Sequence, residues 1–440
     1  MSRDPAWRGI SLIDPLDDPA ARRSGLDVLG PIFVSYRTSD GQEIVRELAH
    51  VLRAFGLPIW HDERDLPPGD IERRIQEALE AGLSGAVLVV TPDIGKSRTI
   101  RQVELPHILG LEALPDFAMA VADALPRLIP SGKLDYAAAD RLLALEPGKL
   151  HGLRHYAIDS AQGLSSLAHD LALQRMELYR RTASQVLVVS LQTRAYPHAQ
   201  GAQYGLAIRT QPPAVGKRAP ALDSWRHLQP AFAALPELVA ASGATSVSLT
   251  GPAHLSVAYA FGAALPVTAG HRLTILDAAG GEWTANSAAI GEPLDEVVEP
   301  LDGTGESLAV FLDLVHTLPP TPTFRAFLEA RRLLHAGSLV LTLSPRRRFA
   351  ASTGSGIVVA AADRIHAAAA EFQVNRIALF LRAPFPAAVL LGQMLNTLTV
   401  ELYEWEDGVD PPVYVPMVTV ACGRGGSPII AIYDGTQEEI

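Results

Sequence analysis

The stretch Ile32–Gly56, IFVSYRTSDGQEIVRELAHVLRAFG, decides how the N-terminal half is read. Ile32 to Tyr36 is a short apolar run passing into polar residues, the pattern of a buried strand. Ser39 followed by Gln42 resembles a capping box. Ile44, Leu48, Val51, Leu52 and Phe55 then recur on one helical face, and Gly56 stands where such a helix stops. A strand feeding straight into a helix is half of a βαβ unit, so the question is whether the unit repeats.

It does. LPIW (Leu57–Trp60) reads as the next strand, with Trp60 in its core. HDERDLPPGD (His61–Asp70) is a loop, because paired prolines and a glycine continue neither structure. Asp70 is placed to cap a helix whose apolar face is Ile71, Ile75, Ala78 and Leu79. GAVLVV (Gly85–Val90) is a third strand, and TPDIGKS leads from it into SRTIRQVELPHILG (Ser97–Gly110). Helical patterns follow over Leu111–Leu125 and Leu164–Tyr179. Strands and helices alternating through short connections predict a parallel sheet covered on both faces. Residues 1–29 lack periodicity and read as an arm; RRTASQ (Arg180–Gln185) reads as a domain boundary.

Glu104 breaks the apolar pattern. Ile100, Val103, Ile108 and Leu111 mark one face of a helix, and Glu104 lies on it, four residues from both Ile100 and Ile108. A carboxylate along an apolar stripe costs free energy unless it is paired, protonated or used. Position alone leaves two explanations. Glu104 is an acid at a helix N-terminus, favoured by the dipole, with Pro106 tolerated in the first turn; or it is a reactive group.

Composition narrows the function. The 440 residues are 48% hydrophobic and 19% charged, ample material for several cores. The net charge of −11 argues against sequence-independent binding to duplex nucleic acid or an anionic membrane, which needs a broad basic face. It permits a small anionic ligand held by focused cations. Four lysines, Lys96, Lys133, Lys149 and Lys217, stand among 37 basic residues, and the rest are planar, bidentate guanidiniums. The single cysteine, Cys422, excludes an internal disulfide framework and a cysteine-rich zinc site, and fits a reducing cytosol. No apolar run reaches the length of a membrane span, and the N-terminal MSRDPAWRGISLIDPLDDPAARR carries no leader-like apolar segment. Walker A, GxGxxG, HExxH and GxSxG spacings are absent, and the thirteen histidines form no recognisable ligand pair, so no metal is expected.

The second half repeats itself loosely. TSVSLTGPAHLSVAYAFGAALP (Thr245–Pro266) shares its plan with NRIALFLRAPFPAAVLLGQMLN (Asn375–Asn396): an apolar strand, a proline-containing loop, then a small-residue helix with one glycine, Gly262 or Gly392. VLVVSLQTR (Val186–Arg194) likewise matches LVLTLSPRRR (Leu339–Arg348), both strands ending in an arginine-bearing loop. The reading is two related α/β lobes, about 185–300 and 301–440, with TLPPTPT (Thr317–Thr323) as a loop in the second.

With these boxes in order, residues 30–178 resemble a TIR domain. The resemblance rests on the FVSY strand, the D…DLPPG loop after the second strand, and a serine-led segment reaching a glutamate after the third. It implies a flavodoxin-like parallel-sheet fold and cleavage of NAD⁺ at the nicotinamide–ribose bond. Enzymatic members carry W-x-x-x-E; here Ile100 occupies the aromatic position and Glu104 the glutamate position. By the same resemblance Tyr36 and Arg37 lie at the cleft mouth, where ligands bind at the carboxyl ends of strands. Asp62, Asp65 and Gly69 belong to the loop that covers the site or contacts a neighbouring subunit.

Residues 185–440 resemble a SAVED domain, a fusion of two CARF-like, Rossmann-like lobes. That implies a sensor for a cyclic tri- or tetranucleotide, adenine-containing, acting as activator while NAD⁺ is the substrate and no other cofactor is needed. Phosphates need guanidinium forks and helix N-termini, and bases need aromatic planes. The candidates are Gln192, Arg194, Gly251, Pro252, His254, Ser344, Arg346, Arg347, Arg348, Arg382, Pro384 and Phe385 at strand ends, with Tyr403 and Trp405 to stack on a base. The two resemblances together imply a cytoplasmic antiphage effector of cyclic-oligonucleotide signalling that self-associates, into oligomers or filaments, when ligand binds.

Overall fold

The computed structural model describes residues 26–60, 82–127, 132–194, 204–214, 217–291, 294–301, 305–315, 321–346, 348–407, 412–422 and 426–434. The segment quoted first forms β1 (Ile32–Ser35), buried along its whole length, and α1 (Thr38–Ala54), which stops at Gly56 as expected. The capping box does not form. α1 starts directly after the extended Arg37, so Ser39 already lies in the first turn, where its hydroxyl takes a hydrogen bond from the Arg37 guanidinium.

β2 (Ile59–Trp60), β3 (Gly85–Val90), β4 (Ala118–Asp123) and β5 (Arg154–Ala157) complete a five-stranded sheet in the order β2-β1-β3-β4-β5. Every neighbouring pair is parallel. β4 corrects the helix expected over Leu111–Leu125: α2 (Leu105–Glu112) ends, and FAMAVAD crosses the sheet. A strand covered on both faces is apolar at every position, and periodicity cannot separate it from a buried helix. α3 (Ala138–Leu143) precedes β5, and α4 (Ala161–Arg180), its N-terminus capped by Ser160, follows it. The helix expected from Ile71 to Leu79 lies outside the described residues.

The next sheet has the order β10-β9-β8-β6-β7, built from β6 (Val186–Gln192), β7 (Leu206–Arg209), β8 (Ser246–Thr250), β9 (Arg272–Leu276) and β10 (Glu282–Trp283). α5 (Leu222–Ala241) links β7 to β8, and α6 (Leu255–Ala264) links β8 to β9. The third sheet has seven strands in the order β11-β13-β12-β14-β15-β16-β17. These are β11 (Leu294–Pro300), β12 (Ser307–Asp313), β13 (His335–Leu343), β14 (Arg376–Arg382), β15 (Thr399–Glu406), β16 (Val413–Ala421) and β17 (Ile429–Ile432). α7 (Thr321–Ala330) covers one face through Phe324 and Phe327; it begins inside the stretch expected to be loop. α8 (Ala351–Glu371) and α9 (Phe385–Met394) pack on the main core.

The repeat of β8–α6 in β14–α9 is real in topology. The first strand's counterpart is different from the one expected. β6 sits beside β8 and β12 beside β14, so Val186–Gln192 corresponds to Ser307–Asp313, whereas β13 takes the place of β7. β11 also lies beyond the expected seam at 300: Leu294–Pro300 pairs antiparallel with β13, in the third sheet.

α6 and α9 are apolar on all sides because they are buried on all sides. They cross reciprocally at their glycines. A Cβ on Gly262 would sit 2.0 Å from the Val389 carbonyl oxygen, and one on Gly392 2.0 Å from that of Tyr259. No residue but glycine permits this approach.

One continuous core runs from Ile32 and Leu48 in the first sheet through Leu206 and Leu228 to Val389 and Val418 in the last. Arg175 of α4 fastens the first two sheets. Its guanidinium is buried and donates to the carbonyls of Gly205 (2.8 Å), Gly30 (3.0 Å), Leu29 (2.6 Å) and Tyr204 (3.3 Å). Burial holds its pKa down to about 10. Glu47 of α1 meets His227 Nε2 of α5 at 2.7 Å. Among the described residues no helix is long and apolar enough to cross a membrane.

Candidate active site and candidate ligand edge

Glu104 ends a π-helical turn, Ile100–Glu104, that runs into α2. Pro106 has no N–H to offer the Gln102 carbonyl, and its ring would crowd that oxygen; the wider turn relieves both problems. The extra residue rotates the following side chains. Leu105 is buried, and Val103, expected on the inner face, is only half-buried. Glu104 does turn inward, to 6% exposure.

Its carboxylate lies over the carboxyl end of β1, where Ser35 Oγ donates to Oε2 at 2.6 Å. Ser35 is 1% exposed. Among the described residues it is the one hydrogen-bond partner of this carboxylate. Burial pushes the Glu104 pKa up to about 7, and the Ser35 hydrogen bond opposes that rise. The result is a carboxyl group poised between its two forms near neutrality, at the strand-end edge of a parallel sheet.

The other candidates around it separate. Tyr36 is half-buried, packed on the main core and against Gly41. Arg37 is tied to Ser39, Asp40 (3.4 Å) and Asp93 (3.7 Å), so its charge is already compensated. Ile100 is core: it is 1% exposed and packs with Leu88, Val90 and Leu105, which leaves it no surface for a substrate. Asp62, Asp65 and Gly69 lie outside the described residues. Asp123 ends β4 on the same sheet face as Ser35, with its carboxylate accepting from the Leu125 N–H at 2.8 Å and its pKa raised by burial.

In the second half, the carboxyl ends of the two lobes' strands face each other. Glu404, near the end of β15, accepts from the N–H (2.8 Å) and hydroxyl (2.7 Å) of Ser256 in the first turn of α6. Glu406 accepts from the N–H groups of Arg218 (3.0 Å) and Ala219 (3.4 Å), and Asp407 pairs with the Arg218 guanidinium. The helix N-terminus that an anion would favour is thus occupied by the protein's own acid.

The arginines expected at strand ends do gather in the second lobe. Arg346 (2.8 Å) and Arg382 (3.3 Å) both contact Oδ2 of Asp313, a fully buried carboxylate ending β12, and Arg346 also donates to the Val315 carbonyl at 2.8 Å. Ser344 is half-buried just before them, Arg348 is exposed, and Arg347 lies outside the described residues. In the first lobe, Gln192 and Arg194 flank the end of β6, and the Pro252 carbonyl accepts from the N–H groups of Thr193 and Arg194. Gly251, at φ +132°, rests where a Cβ would be 2.2 Å from the Leu191 carbonyl oxygen, so its role is to let this loop close on β6.

Four candidates prove structural. His254 is buried, with Nε2 donating to the Arg218 carbonyl (2.7 Å) and Nδ1 accepting from the Thr193 hydroxyl (2.7 Å), so neither ring nitrogen is left for a ligand. Burial lowers its pKa, in keeping with a neutral ring. Tyr403 stacks on Phe380 at 4.5 Å inside the aromatic cluster and donates to Glu401, so it is no open platform. Trp405 is half-buried edge-on against Tyr414. Phe385 packs on the main core next to Pro384, which caps α9. Sequence reasoning missed Ser35, Asp313, Glu404 and Glu406. The signal for each was a polar residue inside or ending an apolar strand, in FVSY, SLAVFLD and LTVELYEWE.

Residues 32–130 match the TIR domain family, and residues 229–420 match the family of SMODS-associated and fused to various effectors sensor domains, abbreviated SAVED. The chain joins a TIR domain to a SAVED domain. Its TIR domain is 39% identical over 83 residues to the NAD(+) hydrolase PdTIR of Paracoccus denitrificans, covering 19% of this chain and 27% of that protein. It is 34% identical over 108 residues to the 2′ cyclic ADP-D-ribose synthase BtTIR of Bacteroides thetaiotaomicron, covering 22% and 36%. The chain therefore spans only about a third of the length of these curated relatives. Among solved structures it is similar to the Acinetobacter baumannii Cap4 SAVED/CARF-domain receptor with the cyclic trinucleotide 3′3′3′-cAAA, at TM-score 0.45 and 13% identity over 76% of this chain and 87% of that one. The Moraxella osloensis Cap4 receptor gives TM-score 0.40 and 13% identity over 75% and 86%.

Proposed function

We propose that this chain is an antiphage effector that cleaves NAD⁺ when its SAVED domain, about 185–440, binds a cyclic tri- or tetranucleotide. The observation that carries the reading is Glu104, a buried carboxyl group at the strand-end edge of a TIR domain of about 30–178. Relatives of that domain are named for NAD⁺ hydrolysis and for cyclic ADP-ribose synthesis.

The chemistry suits one acid. Nicotinamide departs as a neutral molecule from a cationic ring, so no general acid is required. The ribose left behind has oxocarbenium character, as in other glycosidic cleavages. An ionised Glu104 beside it opposes that positive charge, and its poorly solvated surroundings strengthen the attraction. Water then takes up the ribose carbon to give an ADP-ribose product.

In the SAVED domain, adenine-containing ligand phosphates meet the Arg346–Asp313–Arg382 cluster, with Arg194 on the facing lobe. Ligand binding drives self-association in the cytosol, and the 62–70 loop of one protomer completes the cleft of the next. An NADase without such a gate would deplete its own host.

NAD⁺ cleavage measured against a panel of cyclic di-, tri- and tetranucleotides, with wild type and Glu104→Gln in parallel, tests the reading. Cleavage should require one of these ligands and fall about 100-fold or more in the variant, on the scale of removing one charge-stabilising group. Undiminished cleavage by Glu104→Gln would overturn it. The burial of Ile100 favours a second reading, since the aromatic position of W-x-x-x-E is filled by core. On that reading the TIR domain is a non-enzymatic scaffold, and ligand produces assembly without NAD⁺ loss.

A further inference from the structure

Ser35 is the single polar side chain in a strand whose other three residues are apolar and buried. A buried hydroxyl there costs free energy unless it is bonded, and its bond is to Glu104, 69 positions along the chain, at 2.6 Å. The two groups satisfy each other: neither is among the buried polar atoms left without a partner. We propose that Ser35 is the positioning residue of the TIR site, its hydroxyl fixing the orientation of the Glu104 carboxylate over the cleft and favouring its ionised form. This rests on the reading of Glu104 as the acting acid and adds how that acid is kept usable at neutral pH.

A hydrogen bond to a carboxylate is stronger than one to a neutral carboxyl group, so the donor selects the charged state. Ser35 is well suited to this. It ends a strand that lies between β2 and β3 and is itself in register with Leu88 of β3, and its side chain is 1% exposed, so the hydroxyl has little room to swing away. Glu104 is held from the other side by the π-helical turn. The charged groups on the elements around it are Arg101 and His107 on its own segment, Arg37, Asp40 and Asp93 at the ends of β1 and β3, and Asp123 on β4. Arg37 and Lys96 compensate Asp40 and Asp93, and among the described residues burial and Ser35 are what set the Glu104 carboxyl.

Two readouts test this on the full chain. The first needs no activity. The melting temperature is followed from pH 5 to 9 for wild type and Glu104→Gln, and again for Ser35→Ala and Ser35→Ala/Glu104→Gln. The difference within each pair grows with pH and levels off at the pH where folded Glu104 ionises, the midpoint of its titration in the fold. That midpoint should move to alkaline pH by about one unit or more when Ser35 is lost, as expected for removing a donor to a charged group. Ser35→Thr, which keeps a hydroxyl, should return it toward wild type. An unmoved midpoint overturns the proposal.

The second readout is the pH profile of NAD⁺ cleavage with cyclic triadenylate added. Ser35→Ala should lower kcat about tenfold at pH 6.5 and less than threefold at pH 9, with little change in KM. A uniform loss across pH would mean a merely structural role and would also overturn it. If Glu104→Gln cleaves NAD⁺ as wild type does, the functional reading fails, while the melting midpoints still decide whether Ser35 governs Glu104.

Discussion

Glu104 works against the stability of the protein that carries it. Its ordinary pKa of 4.5 is pushed up to about 7 in the fold. Between those values the folded state keeps a proton that the unfolded state releases, so stability falls as pH rises through the window and the full deficit is present above pH 7. The gap corresponds to about 3 kcal/mol. A glutamine in its place carries no such burden and can still accept from Ser35. Glu104→Gln should therefore melt several degrees above wild type at pH 8.5 and converge with it only below pH 4.5, where both folded and unfolded Glu104 are protonated; parallel curves from pH 4 to 8.5 would contradict the assignment. Much at this scale was legible beforehand. Glu104 stood out because a carboxylate interrupts an apolar face, and that face is buried. Ser35 did not stand out, because a serine ending a strand is unremarkable until the partner it meets is known. His254 was misleading for the converse reason: its neighbours Thr193 and Arg218, which satisfy both ring nitrogens, are far away in sequence.

Elements were legible where amphipathic, and less so where fully buried. α1 and α4 form where their helical patterns are read, since one side of each meets the core. β4 did not, because burial on both faces removes the alternation that marks a strand. The π-helical turn was invisible to a fixed period of 3.6 residues, and it exchanged Leu105 for Val103 on the inner face. The glycines of α6 and α9 were visible as a repeat, but their purpose needed both helices at once. Gly262→Ala would place a methyl 2.0 Å from the Val389 carbonyl oxygen, and Gly392→Ala would repeat the clash against Tyr259. Each should cost about 2 kcal/mol or more, as overpacking does. The double variant should cost less than the sum, because a single separation of the helices relieves both clashes. Chemical denaturation of the three variants measures this; strict additivity would mean that the two contacts are independent.

Across the whole molecule, Arg175 binds the first two sheets through carbonyl oxygens alone, two from the lead into β1 and two from the lead into β7. Arg175→Met would leave buried carbonyls without donors and should cost about 3 kcal/mol or more. Arg175→Lys should recover little of it, since an ammonium cannot span the positions a guanidinium reaches. A denaturation midpoint for Arg175→Met within error of wild type would show that this fastening is dispensable. None of it was readable from sequence, because Arg175 falls in an ordinary helical pattern and its acceptors are backbone atoms. The crossing of α6 with α9 carries a different consequence. It turns two topologically related lobes toward a common seam, yet acids of β15 close the α6 side while guanidiniums gather around Asp313 on the other. The seam therefore has a head and a tail. A guest with rotational symmetry would lose it on entry, and atoms equivalent in the free guest would give separate resonances once bound.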